Sequence, residues 1–274
     1  IDSLAANGMR FDNAYLTTSS CSPSRCSIIT GRYPHNTGAP ELHVRLPQEQ
    51  IRFPELLREA GYYTVLSGKN HMFGNKDRAF DRITGGGGPG KEEDWVGHVK
   101  DRPKDKPFFF WFASTDAHRG WGISEEAPQY EPKDVMIPPY LVDTPITRED
   151  LTGYYHEVSR FDYYIGLVTA ELKKQGFLEN TMIVVAADNG RPFPRCKSRM
   201  YDSGIKTPWV VHFPKVIKNP AVTQSLISVI DLSATCLELA GVKSPECVQG
   251  RSFLPILKKP DTTIREVVFA EHNW

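Results

Sequence analysis

Apolar positions along this chain fall into two kinds of stretch, short continuous runs and longer stripes at three- and four-residue steps, and the two alternate. Residues 108–114 read Phe-Phe-Phe-Trp-Phe-Ala-Ser, and residues 182–187 read Met-Ile-Val-Val-Ala-Ala. Runs this short and this apolar predict strands buried on both faces of a parallel sheet, and they are far too short to span a bilayer. Residues 62–66, rich in aromatic and β-branched side chains, predict another strand. It follows a helix over 54–60 that Pro54 opens and Gly61 stops. Residues 11–15 form a short extended piece, and 205–213 and 267–271 predict further strands. The longest stripe is Leu151, Tyr155, Val158, Phe161, Ile165, Val168 and Leu172, one buried face of a helix. Thr147 caps it, Glu149 and Asp150 sit in its first turn, Lys173 and Lys174 in its last, and Gly176 ends it. Another helix over 231–240 ends at Gly241. Proline-rich residues 127–145 make a long excursion of the kind that often carries function. The alternation predicts an α/β fold, a largely parallel but mixed sheet sandwiched between helices. No repeat or linker divides it, so residues 1–274 read as one domain with no second.

Composition narrows the function classes. The chain has 274 residues, with 33 Lys+Arg against 33 Asp+Glu. A neutral balance gives no bulk attraction to nucleic acid or to a membrane surface. Hydrophobic content of 40% with 11% aromatics is enough for a sizeable core. Five cysteines are too few and too scattered for a disulfide framework, although Cys236 and Cys247 leave one bridge open across the loop after a helix. Both ends look cut. Ile1 is not a methionine, residues 1–7 read as the tail of a helix capped by Gly8, and the strand over 267–271 is left unfinished at Trp274. No signal peptide is visible, and for that reason its absence carries no information on compartment.

The densest chemistry lies in Cys21-Ser22-Pro23-Ser24-Arg25-Cys26-Ser27-Ile28-Ile29-Thr30-Gly31. It puts a small nucleophile at the start of a short helix, with Pro23 at the first helical position and Gly31 as the cap. A helix N-terminus offers free N–H groups to an anion, and Arg25, one turn on, can reach the same spot. The run Gly61-Tyr62-Tyr63-Thr64-Val65-Leu66-Ser67-Gly68-Lys69-Asn70-His71 is a strand entering a tight turn, so Lys69 and His71 project past a carboxyl end, where open α/β sheets bind ligands. His118 follows the strand over 108–114 in the same way, with Arg119 beside it. The strand over 182–187 delivers Asp188 and Asn189, oxygen donors suited to a hard cation, into a turn that an Asx turn alone would also explain. Lys197 stands four residues before Tyr201. Residues 85–91 match Gly-x4-Gly-Lys, but Glu92 stands where a P-loop needs Ser or Thr and no apolar strand precedes, so a flexible loop is expected there.

The run Cys-x-Pro-Ser-Arg-x4-Thr-Gly resembles the signature of the type I sulfatases of the alkaline-phosphatase superfamily, complete over eleven positions. Gly-Tyr-x-Thr…Gly-Lys-x-His, the His118 context and Asp188-Asn189-Gly190 resemble further family segments, in the right order as far as Pro208. Tyr201-Asp202-Ser203-Gly204-Ile205-Lys206-Thr207-Pro208 is similar to the family's Tyr-Glu-Gly-Gly-x-Arg-x-Pro. Ala117-His118-Arg119-Gly120, Asn189 to Pro194 and Ala270-Glu271-His272-Asn273-Trp274 look most like the heparan N-sulfatase branch.

The resemblance implies that Cys21 is converted by a formylglycine-generating maturation enzyme to formylglycine, whose hydrate attacks sulfur. It implies Ca²⁺ or Mg²⁺ held by Asp188, Asn189 and the modified Cys21, and sulfate held by Lys69 and Lys197. Arg25 would orient the hydrate, His118 would protonate the leaving group and His71 would act as base. Arg119 and Arg191 would contact a sulfated carbohydrate. The family's compartments are periplasmic, secreted or lysosomal. Members begin with a strand ending in two metal-binding aspartates; neither Asp2 nor Asp12 matches that pair, and the smaller C-terminal domain has no counterpart, so the chain is expected to be a core fragment. Two rivals share these features: a phosphomonoester or phosphonate hydrolase of the same superfamily, and a non-catalytic anion- or glycan-binding fragment.

Overall fold

A computed structural model describes residues 1–272. Its strands are β1 (Met9–Phe11), β2 (Ala14–Tyr15), β3 (Tyr63–Gly68), β4 (Arg82–Thr84), β5 (Phe108–Ala113), β6 (Ile183–Ala186), β7 (Trp209–His212), β8 (Ala221–Thr223) and β9 (Ile227–Ser228). The helices are α1 (Asp2–Ala6), α2 (Cys21–Thr30), α3 (Phe53–Glu59), α4 (Trp95–Asp101), α5 (Pro145–Lys174), α6 (Asp202–Ile205), α7 (Asp231–Leu239) and α8 (Leu254–Lys258). The fold is the expected mixed α/β type. One sheet runs β6-β7-β1-β8, with β7 antiparallel to both neighbours and β1 parallel to β8; a second, wholly parallel, runs β4-β3-β5; β2 and β9 form a parallel pair.

β5 and β6 are thus both edge strands. Between them lies a cleft of about 1180 Å³, walled by the two strands, by Phe161, Ile165 and Leu172 of α5 and by Leu232, Cys236 and Leu239 of α7. This corrects one expectation. Phe108 to Phe112, and Ile183, Val184 and Ala186 of β6, are half-buried rather than buried on both faces, since both strands lie at sheet edges and line the cleft.

Other corrections are local. α2 begins at Cys21 behind an extended Ser20, so Pro23 is its third residue rather than its first; its missing N–H still falls in the turn whose donors have no helical partner. α5 starts at Pro145, and its cap is Thr144, whose side chain accepts from Thr147 N at 3.2 Å. The predicted strand over 205–213 is shortened to β7, since Pro208 has no N–H to give a ladder and residues 202–205 turn as α6. Residues 267–271 form no strand: Val267 and Phe269 stay exposed, although Glu271 N donates to Thr17 O at 2.8 Å. Asn273 and Trp274, part of the terminal motif, lie outside the described residues. All five cysteines are free, Cys236 and Cys247 included.

Candidate active site

The site forms where β3, β5 and β6 end and α2 begins. All ten residues of α2 are buried, which fixes Cys21 and Arg25 on a rigid element. Gly31 closes the helix in the left-handed region at φ 68, and a Cβ there would lie 2.1 Å from Ser233 Oγ. At the end of β3, Gly68 adopts φ 96 with the backbone of Ala113 so close that a Cβ would meet its carbonyl at 2.1 Å. Only glycine suits that approach. It lets Lys69 N donate to Ala113 O at 2.7 Å and turns the Lys69 side chain into the cleft mouth.

Asp188 organises the centre. Arg25 Nε donates to its Oδ2 at 2.6 Å and Lys69 Nζ to the same oxygen at 3.3 Å. Arg25 Nη1 also donates to Lys69 O at 2.6 Å, tying α2 to the end of β3. Burial acts to raise the Asp188 carboxyl, but Arg25 and then Lys69 outweigh it and hold the group well below the ordinary carboxylate range. The Cys21 thiol is 3% exposed and donates to Asn189 Oδ1 at 3.0 Å. Sequence motifs 168 residues apart therefore meet as expected.

His71, Lys197 and His118 are the remaining groups expected at the site. His71 is drawn below its ordinary value of 6.5 by burial first, then by Lys69 and Arg25, with Lys197 adding a smaller push. Its ring Nε2 lies 2.7 Å from Nδ1 of His43, a residue the motifs did not single out. Lys197, His118 and Arg191 line the cleft, and Arg191 also lies 6.0 Å above the Tyr154 ring.

The His118 loop hangs from α5. Glu157 accepts from His118 N at 3.0 Å and from Gly122 N at 2.8 Å, while Arg160 binds both carboxylate oxygens of Asp116, at 2.8 and 2.9 Å, and Gly122 O at 2.6 Å. Arg119, expected to contact the substrate, is held in place by neighbours. It makes a bidentate pair with Asp150 at 2.9 and 2.6 Å and donates to Pro192 O at 2.8 Å. His43, Glu157, Arg160 and Asp150 are the residues that sequence reasoning missed; the heptad-like stripe of α5 marks its apolar face but not the charged residues beside it.

Asp188 and Asn189 are oxygen donors of the right kind for Ca²⁺ or Mg²⁺. Their number falls short. No group of three His, Cys, Asp or Glu side chains among the described residues could hold a metal ion, whereas Ca²⁺ takes about six to eight oxygens. Asp188 also faces two cations already. The described residues alone do not complete a Ca²⁺ site.

Cys21 at a helix start, with Arg25 and Lys69 meeting on Asp188 and Lys197 lining the same cleft, makes a positively charged pocket suited to an anionic group. The comparisons specify it. The family model described as Sulfatase matches residues 1–95 and 92–242, and the chain belongs to the sulfatase family, of the alkaline-phosphatase superfamily. It is 31% identical to an ulvan-active sulfatase of Formosa agariphila over 93% of this chain and 50% of that protein. It is 32% identical to the N-sulphoglucosamine sulphohydrolase of Homo sapiens over 94% of this chain and 61% of that protein. The chain thus spans half to three-fifths of the length of these relatives. A protein solved in complex with its substrate D-glucosamine-2-N,6-O-disulfate shares the fold, with a TM-score of 0.77 at 20% identity over 97% of this chain and 76% of that one.

Proposed function

We propose that the chain carries the core of a sulfuric-ester or sulfamate hydrolase that removes sulfate from a sulfated sugar, such as N-sulfoglucosamine or a glycosaminoglycan fragment. The observation that carries this reading is the convergence of Cys21, Arg25, Lys69, Asp188 and Asn189 on one spot. Three cations against one carboxylate leave the pocket net positive, which suits an anionic sulfate. The names of the relatives support a carbohydrate sulfate.

Formylglycine made from Cys21 supplies, as its hydrate, one hydroxyl to attack sulfur and a second whose loss of a proton expels sulfate. Arg25 holds that position from the rigid helix. Lys69 and Lys197 bind the sulfate oxygens and stabilise the charge that grows on them. His118 protonates the departing oxygen or nitrogen, and His71, whose proton affinity is lowered by burial and then by Lys69 and Arg25, takes the second hydroxyl's proton. Asp188 and Asn189 contribute oxygens toward a divalent cation. Arg191 lies at the cleft as a contact for the sugar, and Arg119, through its pairing with Asp150, shapes the adjoining wall. The family's compartments, periplasmic, secreted or lysosomal, are those expected for such an enzyme; no helix among the described residues is long and apolar enough to cross a membrane.

A panel of sulfated monosaccharides, aryl sulfates and matched phosphate esters tests the reading, using protein made beside a formylglycine-generating enzyme. N-sulfoglucosamine is expected to turn over best, O-sulfated hexosamines next. Turnover confined to aryl sulfates refutes the carbohydrate assignment. A preference for phosphate or phosphonate esters moves the chain to the related hydrolases, and glycan binding without turnover of any ester marks a binding fragment.

A further inference from the structure

We propose that His43 is a positioning residue for His71: it accepts a hydrogen bond from His71 Nε2–H, selects the tautomer that leaves His71 Nδ1 free as a base, and shares the charge when that base is protonated. The proposal rests on the reading of His71 as the base.

The contact is built from both sides. The two ring nitrogens lie 2.7 Å apart, with ring centroids 4.8 Å apart and planes inclined at 46°. Both residues sit in the left-handed region, His43 at φ 69 and His71 at φ 58, a conformation that non-glycine residues adopt uncommonly and that the surroundings must enforce. On one side, His43 N donates to Ser22 Oγ at 2.8 Å, fastening the loop before α3 to the residue next to Cys21. On the other, the Asn70 side chain closes the turn, donating to Phe73 O and Gly74 O at 3.0 Å each and accepting from Met72 N at 3.2 Å.

Two neutral imidazoles at this distance share one proton, so one ring donates and the other accepts. If His43 donated, its proton would occupy the His71 Nε2 lone pair and place hydrogen on Nδ1, leaving His71 with no free basic nitrogen. If His71 donates, its Nδ1 lone pair is free. The charges around His71 favour a partner that accepts. Lys69, Arg25 and Lys197 face it against the single carboxylate of Asp188, so an imidazolium there needs its positive charge spread outward. His43 is exposed and offers a lone pair on the water side. In the step itself the hydroxyl O–H breaks, the electron pair stays on oxygen, and the proton bonds to His71 Nδ1. The Nε2–H···Nδ1 bond to His43 then becomes charge-assisted and shortens.

The first test uses no turnover. In the ¹⁵N-histidine-labelled chain with unmodified Cys21, long-range ¹H–¹⁵N correlation at pH 8 is expected to show His71 with hydrogen on Nε2 and a bare Nδ1. In His43→Ala that preference is expected to relax to a mixture, and in His43→Asn, whose Oδ1 stands near the place of Nδ1, to persist. Hydrogen on Nδ1 of His71 in the parent chain, or an unchanged tautomer in His43→Ala, overturns the proposal. With the modified enzyme, His43→Ala is expected to lower kcat about tenfold to a hundredfold with KM little changed, a share of the roughly two to four powers of ten of a general base, and His43→Asn to recover most of it. Equal loss in both variants also overturns it. His71→Gln separates the two readings: near-normal turnover in that variant removes His71 as base, whereas the spectra decide the His43 contact by themselves.

Discussion

Replacing Arg160 by methionine should destabilise the protein more than almost any other single change, and by an amount that grows with pH. Its side chain is 1% exposed, and the carboxylates of Asp116 and Glu157 beside it are 3% and 5% exposed. The guanidinium donates to Asp116 twice, to Gly122 O and to Ser124 Oγ. Methionine keeps the bulk but leaves buried carboxylates without their cation, a loss of about 3–5 kcal/mol from a total stability of about 5–15 kcal/mol. Burial already holds Glu92, Asp116 and Glu157 above their ordinary values despite Arg160, and the charge of Asp116 adds to the rise in Glu92 and Glu157. Without Arg160 all three rise further. The folded variant then binds more protons than the unfolded chain from the ordinary carboxylate range upward, so its stability falls as pH rises. Each such group contributes up to about 1.4 kcal/mol per pH unit. Urea unfolding followed by the fluorescence of buried Trp95 and Trp209, at pH 5 and pH 8, measures both effects. A deficit under about 1 kcal/mol, or one that shrinks at pH 8, refutes the reasoning. Pairing the change with Asp116→Leu should recover part of the loss, because removing both partners spares the orphaned charge.

Three further outcomes are expected. Protein made beside a formylglycine-generating enzyme should show an aldehyde mass at Cys21 by peptide mass spectrometry; free thiol alone would sink the maturation step. Lys69→Ala and Lys197→Ala should each cut turnover by about two powers of ten, the scale of one lost transition-state donor, and near-normal rates in both would move the pocket elsewhere. The acid limb of kcat/KM should have its midpoint below 6.5, because burial first, then Lys69 and Arg25, lower the proton affinity of His71; a midpoint above that value contradicts its role as base.

What could be read from the residues was whatever a local motif holds. Cys21 and Arg25 lie one turn apart on a single helix, and Lys69 with His71, or Asp188 with Asn189, follow a strand within a few residues, so their convergence needed only the rule that strand carboxyl ends share one edge. The contacts that hold the His118 loop were invisible because Glu157 and Arg160 reach it from 39 and 44 residues away. The pairing of Arg119 with Asp150 was hidden in the same way, its partner lying 31 residues on. Residues 267–271 read as a strand from their apolar side chains, but no ladder forms over them among the described residues, and Glu271 meets the body of the fold through Thr17 O and His35 instead. The Thr147 cap was misplaced by three residues, since both Thr144 and Thr147 satisfy the pattern and Pro145 at the first helical position decides for the former.

Arg25 ties together groups carried by two different sheets. Lys69, His71 and His118 ride on the sheet containing β3 and β5, whereas Asp188 and Asn189 ride on the sheet containing β6, and no ladder bonds join the two edges. Arg25 is the pin, with one nitrogen on Asp188 and another on the Lys69 carbonyl. A change in the spacing of the two sheets therefore reaches the catalytic groups directly, as a stretch in those two hydrogen bonds. Cutting that pin, as in Arg25→Lys, should therefore loosen the start of α2 and the end of β3 together, read as faster amide exchange at both places at once.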